Sequence, residues 1–425
     1  MRRVLISLVA CLLLGVTVAA QDEAAPEQPA LSDDAKALLE NLDADGDGVL
    51  ALAEVPEQQR KFAKRYDKDG DGKFSGAELE ELAKVAATLR EGASTKRRAD
   101  VAKQMKAAYT VDEGTGLYLQ AAHDYHKATN GQALLILKDG KAVFEAYDAG
   151  WQKDMQHELA SGTKSFIGVI AACAVEDGLF GWDDKVCDTI TEWKEDQRKD
   201  ITVRMLLSLC AGLPASKDAL QGSGVDDKYK YAIGLKCKHE PGTRFEYGPA
   251  QYFAFGEFMK RKLAPKQEHI RDYFMRRIGD HIGIEFTWRT DKAGNYLMPH
   301  GIFCSATEWA KFGEFVRNKG KVGDKQLLKP EHLDECFKPS KRNADYGLTW
   351  WLGGSGGDGE TASQRGRDKA PDWMPADLVY AAGLGKQRLI VTREKGLTIV
   401  RLAKDTATFE DEQFLSWLAR GKAAD

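Results

Sequence analysis

The apolar positions of this chain fall into three successive patterns. An unbroken apolar run from Val4 to Val18 follows Met1-Arg2-Arg3 and ends at Ala19-Ala20-Gln21. Between residues 32 and 90, apolar residues recur at helical spacing: Leu38, Leu39 and Leu42 behind Ser32, Val55, Phe62 and Tyr66 around Pro56, then Leu79, Leu82, Val85 and Leu89. That spacing predicts three helices, the first capped by Ser32 and the second opening near Pro56. Residues 86–112, rich in Ala, Lys and Arg, read as a linker helix. From about Gly114 short apolar runs bounded by turns take over. Ala133–Leu137, Asp139-Gly140 and Ala142–Ala146 predict a hairpin, and Arg388–Val391, Gly396 and Leu397–Val400 predict another. A helical pattern fills the stretch between them, and a final helix carries Phe409, Phe414, Leu415 and Leu418. Strands at both ends with helices between imply an α/β (α+β) domain. Its antiparallel sheet would be formed by N- and C-terminal strands, with flanking helices and a helical insert.

Composition fits an exported protein of two or three domains. The chain has 425 residues, 43% hydrophobic and 30% charged, enough to bury a large core. Residues 1–20 have the basic start, apolar centre and small-residue end of a secretory signal peptide, which predicts a secreted or periplasmic protein. The apolar run is too short to span a membrane comfortably, and no later segment is apolar enough. Leu8-Val9-Ala10-Cys11 also fits a lipoprotein signal, but the apolar run continues through Val18, which favours release over anchoring at Cys11. Losing Arg2 and Arg3 makes the formal charge of −4 two units more negative, so electrostatics give no reason to expect nucleic acid. The remaining cysteines are Cys173, Cys187, Cys210, Cys237, Cys304 and Cys336. An even number permits disulfides, while their apolar surroundings fit buried free thiols equally well.

An acidic segment is repeated. Asp43-Ala-Asp45-Gly-Asp47-Gly48-Val49-Leu50-Ala51-Leu52-Ala53-Glu54 is followed 24 residues later by Asp67-Lys-Asp69-Gly-Asp71-Gly72-Lys73-Phe74-Ser75-Gly-Ala-Glu78. Both are similar to the EF-hand calcium loop: carboxylates at positions 1, 3, 5 and 12, a glycine at 6 for the sharp turn, an apolar residue at 8. Position 7 donates a backbone carbonyl, so Val49 and Lys73 need no particular side chain. Ala51 at position 9 cannot hold the bridging water that Ser75 can, so the first site is expected to be looser. The expected Ca2+ ligands are Asp43, Asp45, Asp47, Val49 and Glu54 in one loop, and Asp67, Asp69, Asp71, Lys73 and Glu78 in the other. Calcium here is expected to stabilise the module or to support protein docking, since the 24-residue spacing also resembles that of cellulosomal dockerins. The organisation expected is a linker at 21–31, a small all-α EF-hand-like pair at 32–90, a linker helix at 91–113 and the large domain at 114–425.

The large domain contains Ser161-Gly-Thr-Lys164 at the start of an apolar helical pattern. On a helix, residues three apart share a face, so the lysine amine can reach the serine oxygen. Phe166, Ile167, Val169 and Ile170 could desolvate the amine and lower its pKa, as a lysine base requires. A serine in the first turn also places its backbone N–H where oxyanion charge would develop. Taken alone, the spacing is equally that of an ordinary capped helix; the surroundings decide.

Those surroundings resemble the serine beta-lactamase-related hydrolases: class C beta-lactamases, DD-peptidases, family VIII esterases and 6-aminohexanoate-oligomer hydrolases. In order along the chain come Ser161–Lys164, Glu176-Asp-Gly-Leu179 with Trp182-Asp-Asp-Lys-Val186, Ile201–Leu207 with Cys210-Ala-Gly-Leu-Pro214, Pro241-Gly-Thr-Arg-Phe-Glu-Tyr247, and Tyr380-Ala-Ala-Gly383-Leu-Gly-Lys-Gln387. The resemblance implies a transpeptidase-like fold, Ser161 as acylated nucleophile, Lys164 as its base and Tyr247 as proton relay, with no cofactor for catalysis. It also implies an oxyanion hole from the backbone N–H groups of Ser161 and Leu384, beside Gly383. Two departures matter. The second motif, often Tyr-x-Asn, is Tyr247-Gly248-Pro249, and the third, often Lys-Thr-Gly, is Ala381-Ala382-Gly383. The lost amide, cation and hydroxyl hold beta-lactams and peptide carboxylates in the family, so an uncharged ester or amide is the expected substrate. The rival readings are a DD-peptidase or beta-lactamase, and a non-catalytic calcium-dependent binder on a hydrolase scaffold. His157 and His300 are further candidates near the site, although a lone histidine is more often structural, and the polar Gly353–Pro375 reads either as a disordered surface loop or as an active-site lid carrying Trp373 and Met374.

Overall fold

The computed structural model describes residues 31–43, 48–353, 371, 373–404 and 408–424. The predicted signal peptide, Asp45, Asp47 and most of the predicted lid lie outside the described residues. The chain divides into two compact units between Glu91 and Gly92.

The first unit is built on two helix–loop–helix turns. Helix α1 (Asp33–Leu42) is capped by Ser32, whose hydroxyl accepts from the Ala35 N–H at 3.2 Å. Helix α2 (Glu57–Ala63) starts directly after Pro56. Short strands β1 (Leu50–Ala51) and β2 (Lys73–Phe74) pair antiparallel, setting Leu50 opposite Phe74. Ala35, Leu38, Val55, Leu79 and Leu82 close over that pair as a small core. Helix α3 (Gly76–Ala102) outruns this core: Leu79 and Leu82 are buried, whereas Leu89, expected to continue the stripe, is 55% exposed. The helix also ends earlier than predicted. Past Ala102 the chain is held by its aromatic residue instead, with Tyr109 edge-on to Trp417 at 5.7 Å and its hydroxyl accepting from the Lys106 N–H.

The second unit is centred on an antiparallel sheet of six strands. In chain order the strands of this unit are β3 (Gly131–Lys138), β4 (Lys141–Tyr147), β5 (His157–Glu158), β6 (Thr287–Trp288), β7 (Ile302–Cys304), β8 (Lys321–Val322), β9 (Lys325–Gln326), β10 (Trp351–Leu352), β11 (Val379–Gly383), β12 (Gln387–Thr392) and β13 (Leu397–Ala403). The main sheet runs β10-β11-β12-β13-β3-β4, so the expected joining of terminal strands is the β13–β3 pairing, with Ile399 opposite Ile136. Strand residues alternate between faces. Leu389 and Thr398 meet helix Ala306–Arg317 so closely that a Cβ on its Gly313 would fall 2.6 Å from each. Ile390 and Ile399 face the other way, beside Leu415 and Leu418 of the C-terminal helix Asp411–Arg420. That helix is tied to the sheet by the buried pair Arg388–Asp411, two hydrogen bonds of 2.7 and 2.9 Å.

Between the hairpins lies the helical insert. Its first helix, Lys164–Glu176, is apolar on all sides and is accordingly buried from Lys164 through Ala174. Phe166 stacks on Phe312 at 4.0 Å, fixing this helix against Ala306–Arg317. Shorter helices Val203–Leu207, Lys217–Gln221 and Lys228–Gly234 follow, and then Ala250–Leu263, which starts just after Pro249. Among the described residues the six cysteines are free, and five of them are buried.

Candidate active site

Ser161 does not sit inside the α-helix. It lies in a 3-10 turn, Ala160–Thr163, that feeds helix Lys164–Glu176. The turn is entered through Ala160 at φ +46°, a left-handed conformation costly for a residue with a Cβ. Two close approaches hold it. A Cβ on Gly383 would lie 2.0 Å from the Leu159 carbonyl oxygen, and one on Gly162 would lie 2.8 Å from the Trp309 ring. Of β11, Val379 and Tyr380 pair with β10, and the strand beyond them meets the Ser161 turn at Gly383. Ser161 is partly exposed there, and Leu384, next along the chain from Gly383, is 80% exposed.

Lys164 is 5% exposed. Its amine donates to Ser161 Oγ at 2.7 Å and to the Pro299 carbonyl at 3.0 Å. The rings of Tyr247 and Tyr252 lie 5.0 and 5.7 Å from the nitrogen. Burial, with the charge of Lys217 as a smaller contribution, brings the Lys164 pKa down to about 7. The amine is therefore available without its extra proton near neutrality, and the short distance serves proton transfer in either direction.

Tyr247 is half-buried. Burial raises its pKa, and hydrogen bonding with the Ser161 side chain works against the rise. Its ring is set edge-on to Tyr346 at 6.4 Å and lies 5.9 Å from Trp351. Tyr252 is anchored by Tyr346, 2.7 Å between hydroxyls, and by donation to the Leu207 carbonyl at 3.2 Å. Ser161, Lys164 and Tyr247 are thus brought together, with Gly383 against the turn that carries the serine.

Of the two histidines, His300 belongs to this neighbourhood. Burial first, then the charge of Lys164, pushes its pKa down to about 4, so it is neutral near pH 7. Its ring meets Phe253 edge-on at 6.0 Å. His157 is held elsewhere, against Trp151 and its own strand. Trp373 and Met374 do not form the expected lid: Trp373 lies under Arg420 at 5.1 Å, beside Leu415 and Leu418, and Met374 is buried in the core. Two groups around Lys164 have no sequence signature. The Pro299 acceptor is a backbone carbonyl, and Tyr252 reads as an ordinary apolar helix position.

In the first unit, Asp67, Asp69 and Asp71 offer carboxylate oxygens all within 4.8 Å of one another. The loop is ordered by its own acids: Asp67 accepts from the Gly72 N–H, Asp69 from Asp71, Asp71 from Lys73, and Glu78 from Lys68 and Asp69. Asp67 Oδ1 is buried with no hydrogen-bond partner among the described residues, as expected of an oxygen meant for a cation. In the other loop Asp43 accepts from the Gly48 N–H and Glu54 from Ala51, with Val49 half-buried between.

The family model described as Beta-lactamase matches residues 100–424. Among curated proteins, Protein flp of Staphylococcus aureus (strain MW2) is 26% identical over 197 residues, 42% of this chain and 38% of that protein. The chain thus spans well under two thirds of that relative's length. Among solved structures, a family VIII carboxylesterase superposes with a TM-score of 0.53 at 16% identity, covering 72% of this chain and 94% of its own. A D-stereospecific amidohydrolase from a Streptomyces species gives 0.52 at 14% identity, covering 72% and 99%. At such identities the likeness is one of fold. Among the described residues, no helix is long and apolar enough to cross a membrane.

Proposed function

The chain belongs to the beta-lactamase family, and we propose that it is an exported serine hydrolase cleaving an ester or amide through an acyl-enzyme on Ser161. Lys164, its pKa lowered to about 7 so that a large share of it is unprotonated near neutrality, takes the Ser161 proton as Oγ bonds to the substrate carbonyl carbon. The backbone N–H groups of Ser161 and Leu384 receive the developing oxyanion, and Leu384 is free of other cover at its side chain. As the tetrahedral intermediate collapses, Tyr247, bonded to Ser161, passes its proton to the leaving oxygen or nitrogen and takes one back from the Lys164 ammonium, which returns the amine to its neutral form. Water, deprotonated by the same amine, then releases the acid and restores Ser161.

The single observation that carries this reading is the 2.7 Å contact between a buried lysine amine of pKa about 7 and a partly exposed serine. Pro249 and Ala381 stand where peptidases and beta-lactamases of the family hold polar groups, which favours esters and simple amides over cell-wall peptides. The orphaned Asp67 oxygen supports a calcium ion in the first unit, held by Asp67, Asp69, Asp71, Glu78 and the Lys73 carbonyl. Such an ion would offset carboxylate repulsion in the loop and stands outside the acyl-transfer chemistry.

The test is turnover of p-nitrophenyl acetate and butyrate, a cephalosporin and a D-Ala-D-Ala peptide by the wild type and Ser161→Ala. Ester turnover that disappears in Ser161→Ala supports the reading. Full turnover by Ser161→Ala contradicts it.

A further inference from the structure

When the Lys164 amine takes the Ser161 proton it becomes an ammonium, with three N–H groups and a full charge to place. Burial works against that charge, and among the described residues no carboxylate pairs with it. Its hydrogen bonds run to neutral oxygens, Ser161 Oγ at 2.7 Å and the Pro299 carbonyl at 3.0 Å. Two aromatic faces lie against the nitrogen, with ring centroids 5.0 Å away in Tyr247 and 5.7 Å away in Tyr252. Tyr247 also bonds Ser161 through its hydroxyl. The Tyr252 hydroxyl is engaged elsewhere: it donates to the Leu207 carbonyl at 3.2 Å and therefore accepts from Tyr346 at 2.7 Å. Burial raises its pKa well above the ordinary tyrosine value, so the phenol stays neutral. Tyr252 thus offers Lys164 the face of a neutral ring. That face is held firmly. The Leu207 carbonyl is itself fixed by the Thr349 N–H at 3.2 Å, and Tyr346 is wedged edge-on against Tyr247 at 6.4 Å and Trp351 at 4.8 Å. Tyr346 therefore steadies both rings that lie over the amine.

We propose that Tyr252 is a positioning residue for the general base: the face of its ring, with that of Tyr247, receives the charge that Lys164 gains as it takes the Ser161 proton. The inference rests on the Ser161 hydrolase reading and deepens it by naming what stands in for a carboxylate partner. An aromatic face is the negative side of the ring quadrupole, and it attracts an ammonium most strongly where water is excluded. A weak partner suits a base. A buried carboxylate would hold the amine protonated at neutral pH, whereas a ring face lets it gain and lose the proton.

The experiment compares Tyr252→Phe with full-length protein carrying difluorophenylalanine or trifluorophenylalanine at position 252. The three rings are nearly alike in shape, and fluorine withdraws negative charge from the face. The pH dependence of kcat/KM for p-nitrophenyl acetate gives the midpoint of the base titration in each, with Ser161→Ala as background. The midpoint should move stepwise to lower pH with fluorination, by about half a pH unit or more for the trifluorinated ring relative to phenylalanine. A ring that merely fills space would not make the midpoint follow the fluorine count. A midpoint that stays put across the series, or rises, with Ser161-dependent turnover intact, overturns this proposal alone. Absence in the wild type of Ser161-dependent turnover that rises near pH 7 overturns the hydrolase reading and this proposal with it.

Discussion

The amine of Lys164 stands 2.7 Å from the hydroxyl of Ser161, at the head of a helix buried through Ala174. The sequence spacing brings the two groups onto one face, and the all-apolar helix supplies the desolvation that makes the lysine a base. The nucleophile itself stays at the surface because it precedes the helix, in a turn bent by Ala160 at φ +46°.

This arrangement sets the pH dependence. A base must be unprotonated, and the Lys164 pKa is lowered to about 7 by burial. Ester kcat/KM should therefore rise about tenfold per pH unit well below 7 and level off above it. A profile flat from pH 5 to 8, or a rise centred near the ordinary lysine value of about 10.4, would contradict the role given to Lys164.

Gly383 tests the second wall of the site. With a Cβ 2.0 Å from the Leu159 carbonyl oxygen, Gly383→Ala must push β11 away from the Ser161 turn. We expect at least a hundredfold loss of ester turnover, together with destabilisation of about 1–3 kcal/mol from overpacking. Thermal melts and steady-state kinetics on the purified variant check both. Near-wild-type turnover would mean that this strand edge does not shape the site.

Calcium should act on the first unit only. Titration of Ca2+ into the full chain should release binding heat that Asp67→Ala or Glu78→Gln diminishes, because both remove a carboxylate ligand. EDTA should leave ester hydrolysis largely intact, since Ser161, Lys164 and Tyr247 lie in the second unit and none is among the metal-binding candidates. No binding heat at millimolar Ca2+ would rule out functional sites, and a large EDTA-induced loss of activity would show that the module controls the enzyme.

Much of this was readable from the chain because it is local. The hairpin around Asp139-Gly140 follows from alternating apolar runs and a turn in which both residues take left-handed φ, +49° and +80°. The Ser161–Lys164 pairing follows from helical spacing. What escaped depends on long-range packing. Leu89 reads as a core position until the helix is seen to outrun its core, and the Pro299 carbonyl lies 135 residues from the lysine it binds. Trp373 misled because a tryptophan in a polar loop near the third motif suggests a lid, whereas its ring serves to cover Arg420 and the C-terminal helix.

The central claim is that Ser161 is the activated nucleophile, and covalent labelling measures it most directly. Full-length protein treated with a fluorophosphonate at pH 8 should gain one adduct, found by peptide mass spectrometry on Ser161. Lys164→Ala should slow that labelling by about a thousandfold or more, the order of losing a general base. Label on a different serine, or labelling that persists in Ser161→Ala, would contradict the account.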